Sequence, residues 1–546
     1  MVLINLILPL LAIAIGLLTL KNKKHLFLLA MASGIITVIF MISYTITDGY
    51  SSLVFLSEFI YPLYSMMLLF GISFMLGMAF VLSQNKTNYR ELGIIVGYFA
   101  FTMGILFAEN FITLIIYWEL ASVSGTLIIL QSNSERKKYV ALKYFVIHSL
   151  GGVMLIAGAT DFVRILHTED FPLDYALNIN NIGNILILGG ILINLALPPF
   201  SSWLVDGYSE CSPNASIFLS IFTTKSALFV LFRLFHGAEI LIYVGIFIAV
   251  YGLIFSLFES SLRRILAMSI IHQLGIIIIG VAAMKSFDGF LITYVAVSVL
   301  YKLILFMLAA ILINKYRTDN IYTLRNSINL KSFLGVALLL CSFQAVGLPL
   351  TGGFVVKTYL VDVVGSLDIS WLYYVIIILF AGVAVNIGIK VPYYLINFKS
   401  TSHKIIMDNN FAKSATIITT IVLLEAIFVL HGIQYFSLGY ILHSLEVLAF
   451  GMAMFILSAL FINKREEKWQ VQFNSFKDSS LKISSTVLQG LTSEKPMANV
   501  VNYYGLWLNK VSSLIKITTN LSMRYMITFI MIFTILLYLA LRFHQF

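Results

Sequence analysis

The sequence predicts an all-α protein: a polytopic membrane helix bundle of about 14–16 transmembrane helices, each needing about 20 apolar residues. Three observations carry this. Of the 546 residues, 60% are hydrophobic and 11% charged, and surface-to-volume scaling leaves no soluble fold able to hide that much apolar surface. Apolar stretches of spanning length recur along nearly the whole chain, separated by short polar segments. Lysine and arginine gather in alternate polar segments, as they do in the inner loops of membrane proteins.

The apolar stretches lie near 2–20, 26–46, 59–83, 92–108, 110–131, 139–164, 183–204, 213–233, 240–258, 265–284, 289–314, 333–363, 371–396, 415–436, 441–463 and 525–541. The first has no basic leading region and no small-residue cleavage site, so it reads as a retained span rather than a signal peptide. The stretch 333–363 is too long for one straight span and contains Gly347, Pro349, Gly352 and Gly353; a broken helix fits it. Residues 464–523 mix charges with spaced apolar residues such as Trp469, Phe473 and Phe476. They predict a lateral amphipathic segment on the inner membrane surface, ahead of the final transmembrane helix.

Placing the N-terminus outside puts Lys21, Lys23, Lys24, Lys86, Arg90, Arg136, Lys137, Lys138, Arg263, Arg264, Lys315, Arg317, Arg325, Lys331, Lys399, Lys404 and Lys413 inside. The other loops carry scattered single charges such as Arg164, Arg233 and Lys285. The formal charge of +10 is therefore a topology signal and not a nucleic-acid face. Cys211 and Cys341 lie far apart and form neither a metal-ligand spacing nor a disulfide framework. No cofactor-binding motif is visible.

A charged side chain at mid-bilayer costs about 2.5–3.5 kcal/mol on insertion scales, so each one requires a reason. Glu119, Lys225 and Lys302 sit centrally in apolar stretches, and Lys357 follows the break in 333–363. A lysine near a helix end can snorkel to the headgroups, but Lys225 and Lys302 are too central for that. Burial disfavours the charged form of an amine, so a buried lysine can release its proton near neutrality, which suits a relay. Fixed ion pairs are the alternative for any one of them; four in one chain favour the relay. Further polar residues in the spans are Lys143, His148, Asp161, His272, Glu425, His431, His443 and Glu446. Among these His148 and His272 can accept and donate a proton.

Two spans are interrupted, at Leu197-Pro198-Pro199-Phe200 and at Gly347-Leu-Pro349-Leu-Thr-Gly352-Gly353. Broken helices at membrane depth occur where protein or a water-filled cavity satisfies the freed backbone groups. The interruptions are five spans apart, and an odd number of helices per unit inverts the second copy. This predicts two inverted five-helix repeats. The expected organisation is N-terminal helices over 1–90, repeats over 91–235 and 236–397, and C-terminal helices over 398–463. The lateral segment then covers 464–523 and the last helix 524–546.

From about residue 60 to 460 the chain resembles the antiporter-like membrane subunit family shared by respiratory complex I, membrane-bound hydrogenases and Mrp-type cation/proton antiporters. The motifs carrying this are Trp118-Glu119-Leu120, Pro199-Phe-Ser-Ser-Trp203-Leu-Val-Asp206, Ser220-Ile-Phe-Thr-Thr-Lys225, Arg264 to Gly275, Tyr301-Lys302-Leu and Gly347 to Lys357. Leu204 to Arg233 looks most like the D-type subunits of Mrp antiporters, and the tail is similar to the longest antiporter-like subunits of complex I. The resemblance implies roles. Glu119 would be the gating carboxylate facing a neighbouring subunit, Lys225 the central relay lysine, and Lys302 the link to Lys357, the terminal lysine, through His272. Lys143 and His148 are further relay candidates, and Pro199 and Pro349 candidate hinges. The chain also departs from the family's pattern. Asn194 stands where a lysine usually pairs with the gating glutamate, Ser201 or Ser202 where a histidine follows the proline, and Ser298 at another histidine position. Asn194 can hydrogen-bond Glu119 or a water but cannot carry a proton as a cation.

What the resemblance implies is an ion-translocating subunit of a multisubunit Mrp-type antiporter, exchanging H⁺ for Na⁺ or K⁺ in a bacterial inner membrane beside other hydrophobic subunits. The alternatives are a proton-pumping arm of complex I or a hydrogenase, an inorganic-carbon uptake subunit, and a structural subunit that has lost conduction. Any redox chemistry would then belong to partners.

Overall fold

The computed structural model describes residues 2–19, 32, 62–84, 88–166, 177–284, 289–367, 369–397, 411–431 and 435–462. Apart from residue 32, the predicted span 26–46, together with the span 525–541 and the lateral segment 464–523, lies outside these residues. The chain divides into two units, Met1–Phe455 and Ile456–Phe546. The broken helices and the buried charges belong to the first; of the second, only the short run to Ile462 is described.

Sixteen helices account for almost all of the described residues. They are α1 (Val2–Thr19), α2 (Pro62–Leu82), α3 (Tyr89–Leu106), α4 (Phe111–Leu130), α5 (Lys137–Leu166), α6 (Ile182–Asn194), α7 (Ser202–Glu210) and α8 (Pro213–Phe235). Then come α9 (Ile240–Phe258), α10 (Leu262–Ala283), α11 (Gly289–Tyr316), α12 (Phe333–Val346) and α13 (Gly352–Gly365). The last are α14 (Ser370–Leu395), α15 (Phe411–His431) and α16 (Leu438–Ile462). Ten helices among the described residues are long and apolar enough to cross a membrane. The fold is the expected polytopic helical bundle.

Helix starts follow local chemistry. Asn110, Asn181, Ser212, Ser261, Ser332 and Thr351 each accept a hydrogen bond from the first turn of the helix they precede, satisfying an N–H that has no intrahelical partner. Pro213 occupies the first turn of α8, where its missing N–H costs nothing.

Helices α8, α10 and α11 form the core, buried along almost their whole described lengths, while α9 and α16 turn apolar side chains outward. Close helix pairs meet through glycine. A Cβ at Gly151 or Gly158 of α5 would press on the backbone of Gly190 or Gly183 in α6. Gly245 and Gly252 of α9 meet the backbone of Gly275 and His272 in α10 in the same way. Small residues at such crossings let backbones approach where lipid offers no hydrophobic drive to association.

Three features go beyond what the sequence indicates. The expected interruption of the stretch 183–204 separates two helices, α6 and α7, and α7 runs on past the predicted end to Glu210. α14 contains a π-helical turn, Ala384–Lys390. Finally, two short strands, β1 (Ile328–Asn329) and β2 (Ile396–Asn397), pair in parallel and tie together the loops that follow α11 and α14.

Candidate functional site

Both predicted interruptions are real breaks. Between α6 and α7 the chain turns at Ala196 with φ 59°, and between α12 and α13 at Gly347 with φ 79° and Leu350 with φ 71°. Glycine adopts such angles freely, whereas Ala196 and Leu350 adopt them at a steric cost that only the surrounding packing can maintain. Each break frees carbonyls that must find donors. At the first, the Trp203 indole Nε1 donates to the carbonyl oxygen of Ile193 at 3.0 Å. At the second, the Lys357 ammonium donates to the carbonyl oxygens of Ala345 at 2.6 Å and Val346 at 2.8 Å, and its Nζ lies 5.0 Å from the centroid of the Phe380 ring. Gln344 spans the same break: its side-chain oxygen accepts from Gly353 N–H at 2.8 Å, and its amide donates to Glu425 at 2.8 Å.

The other lysines are buried in the core helices. Lys225 on α8 donates to the carbonyl oxygen of Ser220 at 2.8 Å, and Lys302 on α11 to that of Ser269 on α10 at 3.2 Å. Lys302 lies within Coulombic range of Lys225, and His272 within range of both Lys302 and Lys357. His272 Nδ1 lies 2.6 Å from the carbonyl oxygen of Ala249 and Nε2 lies 2.9 Å from that of Leu379. Only a protonated imidazole can donate to both, since a neutral ring has one N–H.

An ammonium has three donors, and how many the protein engages separates these residues. Lys225 and Lys302 each use one and Lys357 two. Lys390, in the π-helical turn, uses all three, on the carbonyl oxygens of Ser256 at 2.9 Å, Leu257 at 2.8 Å and Glu259 at 2.9 Å. Those carbonyls close the end of α9, where a cation complements the helix dipole. Lys390 is a structural clamp. Sequence reading passed over it, because its partners lie more than a hundred residues away.

Glu119 does not pair with Asn194, Lys143 or Lys225. It has no ion pair or hydrogen bond among the described residues, and its carboxylate lies against the Cα of Gly152 on α5, in the space a side chain there would fill. It shares its helix face with the exposed Ile112, Ile116 and Leu120. Lys143 instead donates to Asp206 at 2.7 Å. The other oxygen of Asp206 lies 3.1 Å from Arg264, which also holds Glu259 at 3.1 Å. This cluster joins α5, α7 and α10. Arg264 reads from sequence as a loop charge; its place beside Asp206 is set by tertiary packing.

Asn194 and His148 line a cavity of ≈ 20 Å³ with Tyr98, Trp118, Tyr144 and Thr223. A single water needs about 10–15 Å³. Trp118 Nε1, Tyr144 OH, His148 Nε2 and Asn194 Oδ1 are buried there without a protein partner, and buried polar atoms of that kind are ordinarily satisfied by water. His148 stacks on Tyr144 and meets Trp203 edge-on, with ring centroids at 4.2 and 4.3 Å. Pro199 and Pro349 lie in the two breaks, as expected of residues that end helices.

The fold and the site together define a multi-pass helical membrane protein with two broken helices and lysines buried in its core. Residues 108–385 match the model of the family described as NADH:quinone oxidoreductase/Mrp antiporter, TM. The chain belongs to that family.

A protein named as an antiporter subunit, mnhA2, from Staphylococcus aureus is 28% identical over 342 residues, covering 56% of this chain and 42% of the relative. NADH-ubiquinone oxidoreductase chain 2 of Dictyostelium citrinum is 27% identical over 326 residues, covering 53% of this chain and 65% of the relative. The aligned part thus spans under two thirds of either relative. In the Mrp complex from Dietzia sp. DQ12-45-1b, one chain superposes with a TM-score of 0.64 at 16% identity, over 82% of this chain and 96% of that one. A chain of respiratory complex I from Thermus thermophilus gives 0.65 at 16% identity, over 79% and 98%. These structures share the fold.

Proposed function

We propose that this chain is an ion-translocating subunit of a multisubunit Mrp-type antiporter, exchanging protons for Na⁺ or K⁺. Protons move along Lys225, Lys302, His272 and Lys357, and Glu119 gates the row through its charge. The observation that carries the reading is the graded use of lysine donors. Lys225 and Lys302 are held by one carbonyl each, so each keeps donors for water or a neighbouring carrier, unlike the saturated Lys390. His272, with a carbonyl at each ring nitrogen, is suited to hold a proton in transit between Lys302 and Lys357.

The two breaks, five spans apart, support a division into inverted repeats over 91–235 and 236–397. The loop charges support an N-terminus on the outer face. Lys143 is engaged by Asp206 and serves the inner end of the bundle, and Asn194 with His148 lines a polar cavity against Thr223 and Ser226 of α8. The motif from Leu204 to Arg233 favours the D-type position in such an antiporter, while the staphylococcal relatives bear the name mnhA2.

The second reading is a proton-pumping arm of a complex I-like assembly, favoured by the likeness to NADH-ubiquinone oxidoreductase chain 2. Copurification separates the two. Small hydrophobic membrane subunits alone support the antiporter; flavin or iron–sulfur subunits overturn it.

A further inference from the structure

Lys357 borders a second cavity of ≈ 20 Å³, and the wall facing it is built by Tyr440, His443 and Ser444 of α16. That space holds about one water. His443 is oriented from its far side: Nδ1 lies 3.3 Å from the Tyr373 hydroxyl and 3.6 Å from the Glu446 carboxylate. Its Nε2 is buried and has no protein partner. One turn away, the Tyr440 hydroxyl donates to Asp362, whose two carboxylate oxygens lie at 3.0 and 2.9 Å.

Asp362 and Glu446 are both exposed at the surface of the bundle. A carboxylate facing lipid is costly, so these two mark where the bundle meets water or a polar partner. Asp362 lies in the last turn of α13, which fixes the end of the molecule concerned.

We propose that His443 takes the proton leaving Lys357 and delivers it to a port formed by Glu446, Tyr440 and Asp362. This rests on the relay proposed for Lys225 to Lys357 and adds its exit. In the step, an N–H bond of the Lys357 ammonium breaks and, through one water, an N–H bond forms at His443 Nε2. The imidazolium then loses its Nδ1 proton to Glu446 and the bulk. One proton enters and one leaves; exchange of the ring's tautomer restores the starting state. With the N-terminus outside, the port opens on the outer face.

The experiment uses the full chain in its complex, in inverted membrane vesicles, reading cation-driven collapse of a pH gradient. His443→Gln should slow exchange by about tenfold or more, as loss of a proton carrier does, at unchanged membrane abundance. Imidazole in the buffer should restore His443→Ala but not Lys357→Ala. Full-rate exchange by His443→Gln beside an inactive Lys357→Ala overturns the exit and leaves the relay standing. A His443→Ala defect that imidazole does not relieve makes the residue structural and overturns the exit too. Full-rate exchange by Lys357→Ala overturns the relay itself. Should the His443 variants fail to reach the membrane, the exposed Glu446→Gln carries the test: slowed exchange supports the port, and an unchanged rate contradicts it.

Discussion

The ammonium of Lys357 lies 2.8 Å from the carbonyl oxygen of Val346, so the second half of a broken helix caps the first with a titratable group. At the other break a neutral indole, Trp203 on Ile193, does the same work. The two breaks are alike in backbone and unlike in chemistry: only the second can change its charge. Loss of a proton from Lys357 would leave the two hydrogen bonds at the end of α12 without their charge assistance.

Lys357→Met should therefore lose both exchange and stability. Two carbonyls at the end of α12 would be left without a donor, at about 1–3 kcal/mol each. A lowered melting temperature of the detergent-solubilised protein checks this. Lys357→Arg should regain most of the stability and little of the exchange, because arginine stays charged.

Lys390 supplies the opposite case. Lys390→Met should destabilise by at least as much as Lys357→Met, because three carbonyls lose their donor at about 1–3 kcal/mol each. Exchange per folded molecule should stay near normal. Melting curves and transport rates normalised to folded protein separate the two effects; a folded but inactive variant would place Lys390 in the relay.

Asp206 holds Lys143 and Arg264 together across α5, α7 and α10. Asp206→Ala leaves two cations facing each other. Their partial exposure brings the cost to about 1–3 kcal/mol, below that of a fully buried pair. Limited proteolysis of the loops beside Arg136 and Arg263 should speed up in the variant.

Gly152 is the seat of the Glu119 carboxylate, and a methyl there would displace it. Gly152→Ala should slow exchange severalfold, about 1 kcal/mol on the barrier, with normal membrane abundance. Wild-type rates in Gly152→Ala would show that the position of Glu119 is immaterial.

The buried lysines were legible because a charge inside an apolar stretch of spanning length has few explanations, and the breaks because proline and glycine interrupt otherwise continuous spans. Three helix starts lie within a residue of where the apolar stretches begin, at 110, 213 and 333, and there Asn110, Ser212 and Ser332 cap α4, α8 and α12. What escaped was tertiary. Lys390 sits near the end of its span like a snorkelling lysine, and nothing local announces the carbonyls of α9. Arg264 looked like a topology signal until Asp206 was found beside it. Glu119 was expected to seek a polar partner and instead rests against a glycine, a contact set by the crossing of α4 and α5.

The central claim is that Lys225 and Lys357 carry protons. Cation-dependent ΔpH in inverted vesicles containing Lys225→Ala or Lys357→Ala, at wild-type abundance of the whole complex, tests it most directly. The relay predicts loss of exchange in both variants, and unchanged exchange in either would contradict it.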